Sequence, residues 1–400
     1  MKRININIFS ALDKLRFKNL KEHREDMIDD ADQKQITRIY KINKHAKELH
    51  PDYQELRVVD IEEHLNGEAK TYTLTSLNKK PIAYFRAGQA LSLKIHNGKS
   101  IVTRTYSICS SPKEVNDGIY KITVKRKKDG FASEVILNIF KKDTKVLASA
   151  PHGNFCYEKL RDNKNVVAIC GGSGITPILS MAKAIKDGID DFNLTILYGN
   201  NDYDSILFKK ELDELELTCN KIKVIYVLNN EIKKNCETGL ITSDLVKKYA
   251  VEPYSIFVSG PYEMQEYLIK ELNKLLKPKK DLRFDASTNS SDITKNTNYP
   301  KEIVGKVFKI KIKQGLTEAT IDALSNETIL VALERAGIKA PSRCRAGECG
   351  WCRSKLSSGE IYCDNKNIKR RYTDIEFNYI HPCCCYPISD CTIEIPSDYI

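Results

Sequence analysis

Six of the thirteen cysteines of this 400-residue chain stand in two short segments, SRCRAGECGWCR and HPCCCYP. In the first segment, Cys344, Cys349 and Cys352 have the spacing C-x4-C-x2-C, and the second segment offers Cys383–Cys385. Three thiolates with this spacing and a fourth further along the chain are typical ligands of a 2Fe-2S cluster. Small residues lie between them and let backbone N–H groups approach the sulfurs, which stabilises an added electron. The sequence therefore predicts a centre that carries one electron at a time.

A zinc site is the alternative interpretation of these cysteines. Zinc ribbons and fingers usually show paired C-x2-C units or Cys/His sets, which the C-x4-C-x2-C spacing fits badly. A disulfide framework is disfavoured because the cysteines cluster instead of spreading along the chain. The seven cysteines outside the two segments are predicted to be small buried hydrophobic residues: Cys109, Cys156, Cys170, Cys219, Cys236, Cys363 and Cys391.

Length and composition indicate a multidomain globular protein. The chain is 41% hydrophobic and 29% charged, and its formal charge of +11 comes from dispersed lysines, so a nucleic-acid partner is not expected. We find no apolar run near the roughly 18 residues that cross a bilayer, and no signal peptide at the N-terminus. These features predict a cytoplasmic protein without a transmembrane segment.

Periodicity divides the chain into five parts. Residues 1–50 form a helical N-terminal extension, with Ile8, Ala11, Leu12 and Leu15 at helical spacing; packing on its own domain is the main interpretation, and docking to a partner or a membrane surface is the alternative. Short strand-like runs over 51–157 predict an antiparallel β-barrel. Strands alternating with helices over 158–285 predict an α/β doubly wound parallel sheet. Residues 286–302 look like a linker, and 303–400 form a last α+β domain.

The barrel carries the sequence RTYSICSSP, and the region from about 51 to 282 resembles the ferredoxin-NADP reductase superfamily. That resemblance implies a flavin, FAD with FMN as the alternative, bound through R-x-Y-S. Arg104 would pair with the flavin phosphate, Tyr106 would lie along the ring, and Ser107 would hydrogen-bond near N5. Gly130 and Ser133 match the family's Gly-x-x-Ser at a helix start, where free N–H groups suit a pyrophosphate. The segment PHGNF, residues 151–155, matches a further family element.

The parallel-sheet region carries two elements that resemble the family's nicotinamide site. A glycine-rich turn follows the first strand, and the segment SGPYEM follows a later strand. The residues expected to bind the nicotinamide cofactor are Gly172, Gly174, Thr176, Pro177, Gly260 and Pro261.

Two positions depart from the family pattern. Ser259 stands where the family often has Cys, and Asp285-Ala286-Ser287 replaces the usual Glu-x-Phe. After the second strand the chain has Asn200, Asn201, Asp202 and Asp204, whose carboxylates would repel a 2′-phosphate. NADH is therefore favoured over NADPH.

The last domain resembles a plant-type ferredoxin of the β-grasp fold, in which the final ligand precedes a proline by four positions. By that resemblance the fourth ligand is Cys383, ahead of Pro387. The whole series resembles single-chain reductases that pass electrons from NADH through FAD to a 2Fe-2S cluster and then to a one-electron acceptor protein. The protein residues position cofactors, and no separate catalytic residue is expected. A non-catalytic redox sensor or electron-transfer subunit is the alternative.

Overall fold

The computed structural model describes residues 20–29, 40–98, 100–127, 130–285, 292–363 and 370–396. The chain divides into two compact units, Met1–Ala46 and Lys47–Ile400. Helix α1 (Leu20–Asp29) lies in the first unit, and α2 (Lys41–Leu49), which has no buried residue, crosses the division. Ile8, Ala11, Leu12 and Leu15, which suggested an N-terminal helix, lie outside the described residues. Within the described residues, no helix is both long and apolar enough to cross a membrane.

The first sheet of the second unit is antiparallel, as the sequence predicts. Its strands are β1 (Tyr53–His64), β2 (Ala69–Ser76), β3 (Ala90–Asn97), β4 (Ser100–Ser107), β5 (Ile119–Lys125) and β6 (Lys145–Ser149). They lie in the order β4-β3-β6-β1-β2-β5. A bridge between Ile108 and Ile122 joins the two outer strands and closes the barrel. Alternate residues such as Tyr120, Ile122 and Val124 fill its core, and helix α3 (Phe131–Ile139) packs Ile136 against it.

The second sheet is parallel, with helices on both faces. Its strands are β7 (Asn165–Gly171), β8 (Asn193–Asn200), β9 (Ile222–Leu228), β10 (Glu237–Thr238), β11 (Tyr254–Ser259) and β12 (Leu282–Phe284). Its helices are α4 (Ile175–Lys186), α5 (Lys209–Thr218), α6 (Ser243–Tyr249) and α7 (Tyr262–Asn273). The strand order is β10-β9-β8-β7-β11-β12, so successive strands are added on one side of β7 up to β10 and on its other side from β11 onward. Ligands of doubly wound sheets bind at such a reversal of the strand order, outside the carboxyl ends of the strands.

The third region is an α+β domain built on a five-stranded mixed sheet and a two-stranded sheet. Its strands are β13 (Val307–Gln314), β14 (Thr317–Leu324), β15 (Ser354–Ser358), β16 (Ile361–Cys363), β17 (Tyr379–Ile380), β18 (Cys385–Pro387) and β19 (Cys391–Glu394). Its helices are α8 (Ile329–Arg335) and α9 (Tyr372–Glu376). The strand order is β14-β13-β19-β15-β17, with β16 paired to β18. The predicted fold class is therefore confirmed in all three regions.

The segment 292–302, in the second half of the predicted linker, packs against the third region. Ile293 and Tyr299 are buried, and the Tyr299 ring contacts those of Tyr362 and Tyr386 edge-on, at 5.2 and 6.4 Å between centroids. Residues 286–291 lie outside the described part. The polar composition concealed this packing because two apolar side chains are enough to anchor a short segment.

A buried ion pair joins the segment after the barrel to the parallel sheet. The Arg283 guanidinium of β12 donates to the carboxylate of Asp162, and both side chains are almost wholly enclosed. Arg283 also lies over the Phe257 ring, with 4.6 Å between Cζ and the ring centroid. A charge buried in this way depends on its partner, because removing one member leaves the other without compensation.

We predict that Asp162→Asn lowers the free energy of unfolding by about 3 kcal/mol, since it leaves the buried Arg283 charge unpaired. Urea denaturation followed by circular dichroism measures the loss. The control is Asp191→Asn, which removes the exposed partner of Lys164 and Lys221 and should leave the free energy of unfolding nearly unchanged. Equal losses in the two variants would contradict the assignment.

Candidate functional site

The predicted flavin residues lie on β4, an outer strand of the first sheet. The Arg104 side chain is half-buried; its Nη1 donates to the Thr103 carbonyl at 2.8 Å and lies 3.5 Å from Oε2 of Glu334. Burial, together with the nearby Arg345 cation, lowers the pKa of Arg104 to about 10, so the guanidinium stays charged at neutral pH. Two guanidinium groups thus surround one carboxylate. The excess positive charge fits a phosphate group.

Tyr106 packs against the barrel core, and Ser107 follows it at the end of β4. Burial raises the pKa of Tyr106, so its phenol is neutral at all physiological pH values. A neutral aromatic ring held by packing provides the flat apolar surface that a flavin ring requires.

Gly130 and Ser133 form a tight turn at the start of α3. Ser133 Oγ donates to the Gly130 carbonyl at 2.9 Å and accepts from the Lys127 N–H at 3.1 Å. A Cβ at residue 130 would lie 2.8 Å from the Lys127 carbonyl oxygen, so the turn requires glycine. No side chain of the described residues caps this helix, and its first N–H groups suit an anion. Ser133 itself therefore holds the turn.

The segment PHGNF, residues 151–155, runs beside β3 on the same barrel. His152 pairs with Ala90 through two backbone hydrogen bonds of 2.9 Å, and its Nε2 lies 2.7 Å from Ser92 Oγ. Burial, helped by the Arg343 charge, lowers the pKa of His152 to about 4. The imidazole is consequently neutral near pH 7, and its role is to fix the segment on the barrel.

The predicted nicotinamide residues meet at the carboxyl ends of β7 and β11. The Gly172 backbone is left-handed, with φ +53°, and its carbonyl accepts a hydrogen bond of 2.8 Å from the Tyr198 hydroxyl. A Cβ at Gly174 would lie 2.3 Å from the Ser259 carbonyl oxygen. The two turns therefore touch, and only glycine allows this approach.

Neighbouring side chains hold these two turns in place. Thr176 Oγ1 donates to the Ser173 carbonyl at 2.9 Å, and Pro177 is buried in the first turn of α4. On the other side Gln265 Nε2 donates to the Gly260 carbonyl at 3.1 Å, and Pro261 precedes α7. The arrangement leaves backbone groups of both turns at the reversal point of the sheet, where a dinucleotide is expected.

The two departures from the family pattern contact each other. Ser259 Oγ donates to Asp285 Oδ2 at 3.1 Å, and Ser259 is almost fully buried. The serine that replaces the family's cysteine thus has a carboxylate beside it, which accepts a hydrogen bond from the serine hydroxyl. The pair occupies the end of β11, directly before Gly260.

Two lysines that the sequence reasoning missed lie near the end of β8. Lys233 Nζ stands 4.7 Å from the Tyr203 ring centroid, and Lys209 Nζ stands 5.3 Å from it. Both come from later parts of the chain, and Lys209 is paired with Asp213. The carboxylate of Glu231 also reaches this point and accepts from the Tyr203 N–H at 3.0 Å. No local motif marks these residues, because only the fold brings them together.

The four predicted cluster ligands meet as two pairs of thiols. Cys344 contacts Cys349, and Cys352 contacts Cys383. No three His, Cys, Asp or Glu side chains in the described residues converge as one metal ion would require. A 2Fe-2S cluster would take four thiolates, two for each iron, and the two pairs of thiols match this requirement.

Backbone N–H groups point at the sulfurs of the C-x4-C-x2-C loop. The N–H groups of Ala346 and Cys349 approach Cys344 Sγ, and that of Trp351 approaches Cys349 Sγ, each at 3.4 Å. The hydrogen bond from the Cys344 thiol, followed by the backbone donors, lowers the pKa of Cys349 to about 6. These donors stabilise negative charge on sulfur, so the loop fits a 2Fe-2S cluster.

The structure separates the three consecutive cysteines. Cys383 faces Cys352, whereas Cys384 Sγ donates to the His381 carbonyl at 3.4 Å. Cys385 Sγ lies 2.6 Å from Cys363 Sγ across the β16–β18 pair. The thiol of Cys384 also lies against those of both neighbours, and Cys383 is the member of the three that adjoins the loop thiol of Cys352.

His381 positions the loop from behind. Its side chain is buried, with Nδ1 2.9 Å from the Gly347 carbonyl and Nε2 3.9 Å from an Asp374 carboxylate oxygen. The imidazole contacts the backbone of the loop at Gly347, so the role of His381 is structural.

Three family models match the chain in sequence. They describe an oxidoreductase FAD-binding domain over residues 56–157, an oxidoreductase NAD-binding domain over 168–270 and a 2Fe-2S iron-sulfur cluster binding domain over 312–388.

Curated relatives share this organisation. The ferredoxin reductase component of 3-ketosteroid-9-alpha-monooxygenase from Rhodococcus rhodochrous is 26% identical over 315 residues, which cover 76% of this chain and 86% of the relative. Phthalate dioxygenase reductase from Burkholderia cepacia is 26% identical over 296 residues, covering 72% of this chain and 82% of the relative.

A solved structure shows the same fold over all three regions. Phthalate dioxygenase reductase, described as a modular structure for electron transfer from pyridine nucleotides to [2Fe-2S], superposes with a TM-score of 0.62 at 22% identity. The match covers 86% of this chain and 98% of that chain. Taken together, the three domain matches and the relatives show that the chain carries an FAD-binding, an NAD-binding and a 2Fe-2S domain in one polypeptide and is similar to ferredoxin reductase components.

Proposed function

We propose that this chain is a reductase component that takes electrons from NADH and delivers them one at a time to a separate oxygenase protein. The observation that carries the proposal is the contact between the predicted flavin strand and the cysteine loop. Thr105 of β4 donates through Oγ1 to the carbonyl of Arg343, next to Cys344, at 2.8 Å. The strand and the loop belong to different domains, so their contact supports a flavin site and a cluster site that lie side by side.

The oxygenase partner is inferred from the relatives. The names of the two relatives above describe reductases of a monooxygenase and of a dioxygenase. These names favour turnover over the sensor alternative. A cytoplasmic location is part of the same proposal, since clustered cysteines with the spacing of cluster ligands suit a compartment that keeps thiols reduced.

The roles of the residues follow from their positions. When bound, the flavin accepts an electron pair from NADH and releases the electrons singly to the iron-sulfur cluster. Arg104 supplies positive charge for the flavin phosphate, and the Tyr106 ring supplies a packed aromatic surface. The turns at Gly172–Gly174 and Gly260 orient the nicotinamide at the end of the parallel sheet.

The proposed preference for NADH rests on charge. Asp202, Asp204 and Glu231 lie around the end of β8 and oppose a 2′-phosphate, although Lys233 and Lys209 reach the same region. Lys209 pairs with Asp213, and the Glu231 carboxylate adds negative charge beside Tyr203, the residue whose ring Lys233 also approaches. The balance of charge therefore favours the cofactor without the extra phosphate.

Gly174→Ala tests the nicotinamide assignment. The added Cβ would meet the Ser259 carbonyl at 2.3 Å and force the two turns apart, so we expect the KM for NADH to rise at least tenfold. Steady-state oxidation of NADH with ferricyanide measures it. Ser173→Ala, a change at an exposed position of the same turn, is the control and should leave the KM within twofold. An unaltered KM in Gly174→Ala, with normal flavin content, would refute the role of this turn.

Cys383→Ser tests the fourth ligand. Because Cys383 is the residue of the trio that faces Cys352, we expect this variant to lose most of its acid-labile sulfide and its EPR signal after reduction. Cys384→Ser and Cys385→Ser, whose sulfurs have other partners, should keep both. If Cys383→Ser keeps the cluster and Cys384→Ser or Cys385→Ser loses it, the fourth ligand is the residue whose substitution removes the cluster.

A further inference from the structure

Glu334 is a buried carboxylate at the contact between two domains. It lies near the end of α8 in the 2Fe-2S domain, with 6% of its surface exposed. Burying an ionised carboxylate is costly unless charged partners and hydrogen-bond donors surround it. The partners of Glu334 therefore show what the residue holds together.

One group of partners belongs to the flavin domain. The Thr103 N–H donates to Glu334 Oε1 at 3.2 Å, and Arg104 Nη1 lies 3.5 Å from Oε2. Both residues stand on β4, the strand that carries the predicted flavin motif. The contact spans 231 positions of sequence, so it is a tertiary contact between domains.

The other partner belongs to the cysteine loop. Arg345 Nη1 donates to Glu334 Oε1 at 2.5 Å, and its side chain is largely buried. Arg345 directly follows Cys344 and has a left-handed backbone, with φ +57°. One carboxylate thus joins the flavin strand to the loop that bears the first cluster ligand.

A second contact lies on the other side of Cys344. Thr105 Oγ1 donates to the Arg343 carbonyl, and the Arg343 guanidinium lies 3.4 Å from the Trp351 ring centroid and 3.3 Å from Asp52 Oδ1. Cys344 is therefore held between two attachments to β4. The Glu334 attachment is the one that involves opposite charges in a buried site.

Electrostatics make this attachment dependent on Glu334. Arg104 and Arg345 are close enough that the charge of Arg345 depresses the pKa of Arg104, while Glu334 opposes that effect. Without the carboxylate, two buried cations of different domains would face each other and repel. Loss of Glu334 would thus break this attachment and leave the one through Thr105.

We propose that Glu334 is a positioning residue that docks the 2Fe-2S domain on the flavin domain by holding Arg104 and Arg345 together, in the orientation that flavin-to-cluster electron transfer requires. The inference rests on the proposed function for its electron-transfer part. Glu334 touches none of the reacting atoms, so its removal should slow the step between the two sites.

The test uses the full-length holoprotein, with Glu334→Ala and the milder Glu334→Gln. Anaerobic stopped-flow mixing with NADH records flavin reduction and cluster reduction in the same trace. We expect the ratio of the cluster-reduction rate to the flavin-reduction rate to fall at least tenfold in Glu334→Ala. Hydrogen exchange at the Thr103 amide should become at least tenfold faster.

The matched control is Glu327→Gln. Glu327 pairs with Arg335 of its own domain, so its loss should leave the rate ratio and the Thr103 exchange within twofold of wild type. Should Glu334→Ala fail to fold, Glu334→Gln gives the same readouts, because it removes the charge and keeps an oxygen that can accept from Thr103.

The outcomes separate the two proposals. If wild-type cluster is not reduced by NADH, the proposed function fails, and hydrogen exchange still decides whether Glu334 docks the domains. If wild-type transfer occurs and both Glu334 variants keep the wild-type ratio and exchange rate, the docking role is overturned. An equal slowing of flavin and cluster reduction would also overturn it, since that result indicates general damage.

Discussion

NADH gives up two electrons together, whereas a 2Fe-2S cluster accepts one at a time, and this mismatch explains why three binding regions stand in one chain. The flavin region must contact the nicotinamide region on one side and the cysteine loop on the other. The fold meets both demands through the first barrel. The turn at Gly88, the end of β5 at Lys125 and the segment after β6 at Phe155 adjoin the parallel-sheet region, and the outer strand β4 contacts the cysteine loop.

In two of the three regions, the backbone itself shapes the site at which a cofactor is expected to bind. At the nicotinamide side, Gly174 allows two turns to touch. At the cluster side, backbone N–H groups approach Cys344 and Cys349, and a left-handed Arg345 shapes the loop. These features restrict the residue type at each position. Side chains then provide charge and packing, as Arg104 and Tyr106 do on β4.

Local spacing was enough to predict the fold class, whereas the flavin and nicotinamide residues were assigned by resemblance to a known family and stay a prediction. Short strand-like apolar runs identified the barrel, and strands alternating with helices identified the parallel sheet. The C-x4-C-x2-C spacing identified the cysteine loop. Spacing could not show contacts between residues far apart in sequence, such as Glu334 with Arg104, or Lys233 with Tyr203. Composition also predicted a linker over residues 286–302, and in its described part Ile293 and Tyr299 are buried. The role of Ser133 in holding its own turn likewise depends on side-chain direction, which the Gly-x-x-Ser pattern does not fix.

The coupling of the flavin and cluster sites is tested most directly by an anaerobic titration of the purified, cofactor-loaded protein with NADH. Visible absorption and EPR spectroscopy follow the titration. We expect the flavin absorbance to bleach and the EPR signal of a reduced 2Fe-2S cluster then to appear without any added mediator. A cluster that dithionite reduces and NADH does not, in protein whose flavin is bleached by NADH, would contradict the coupling of the two sites.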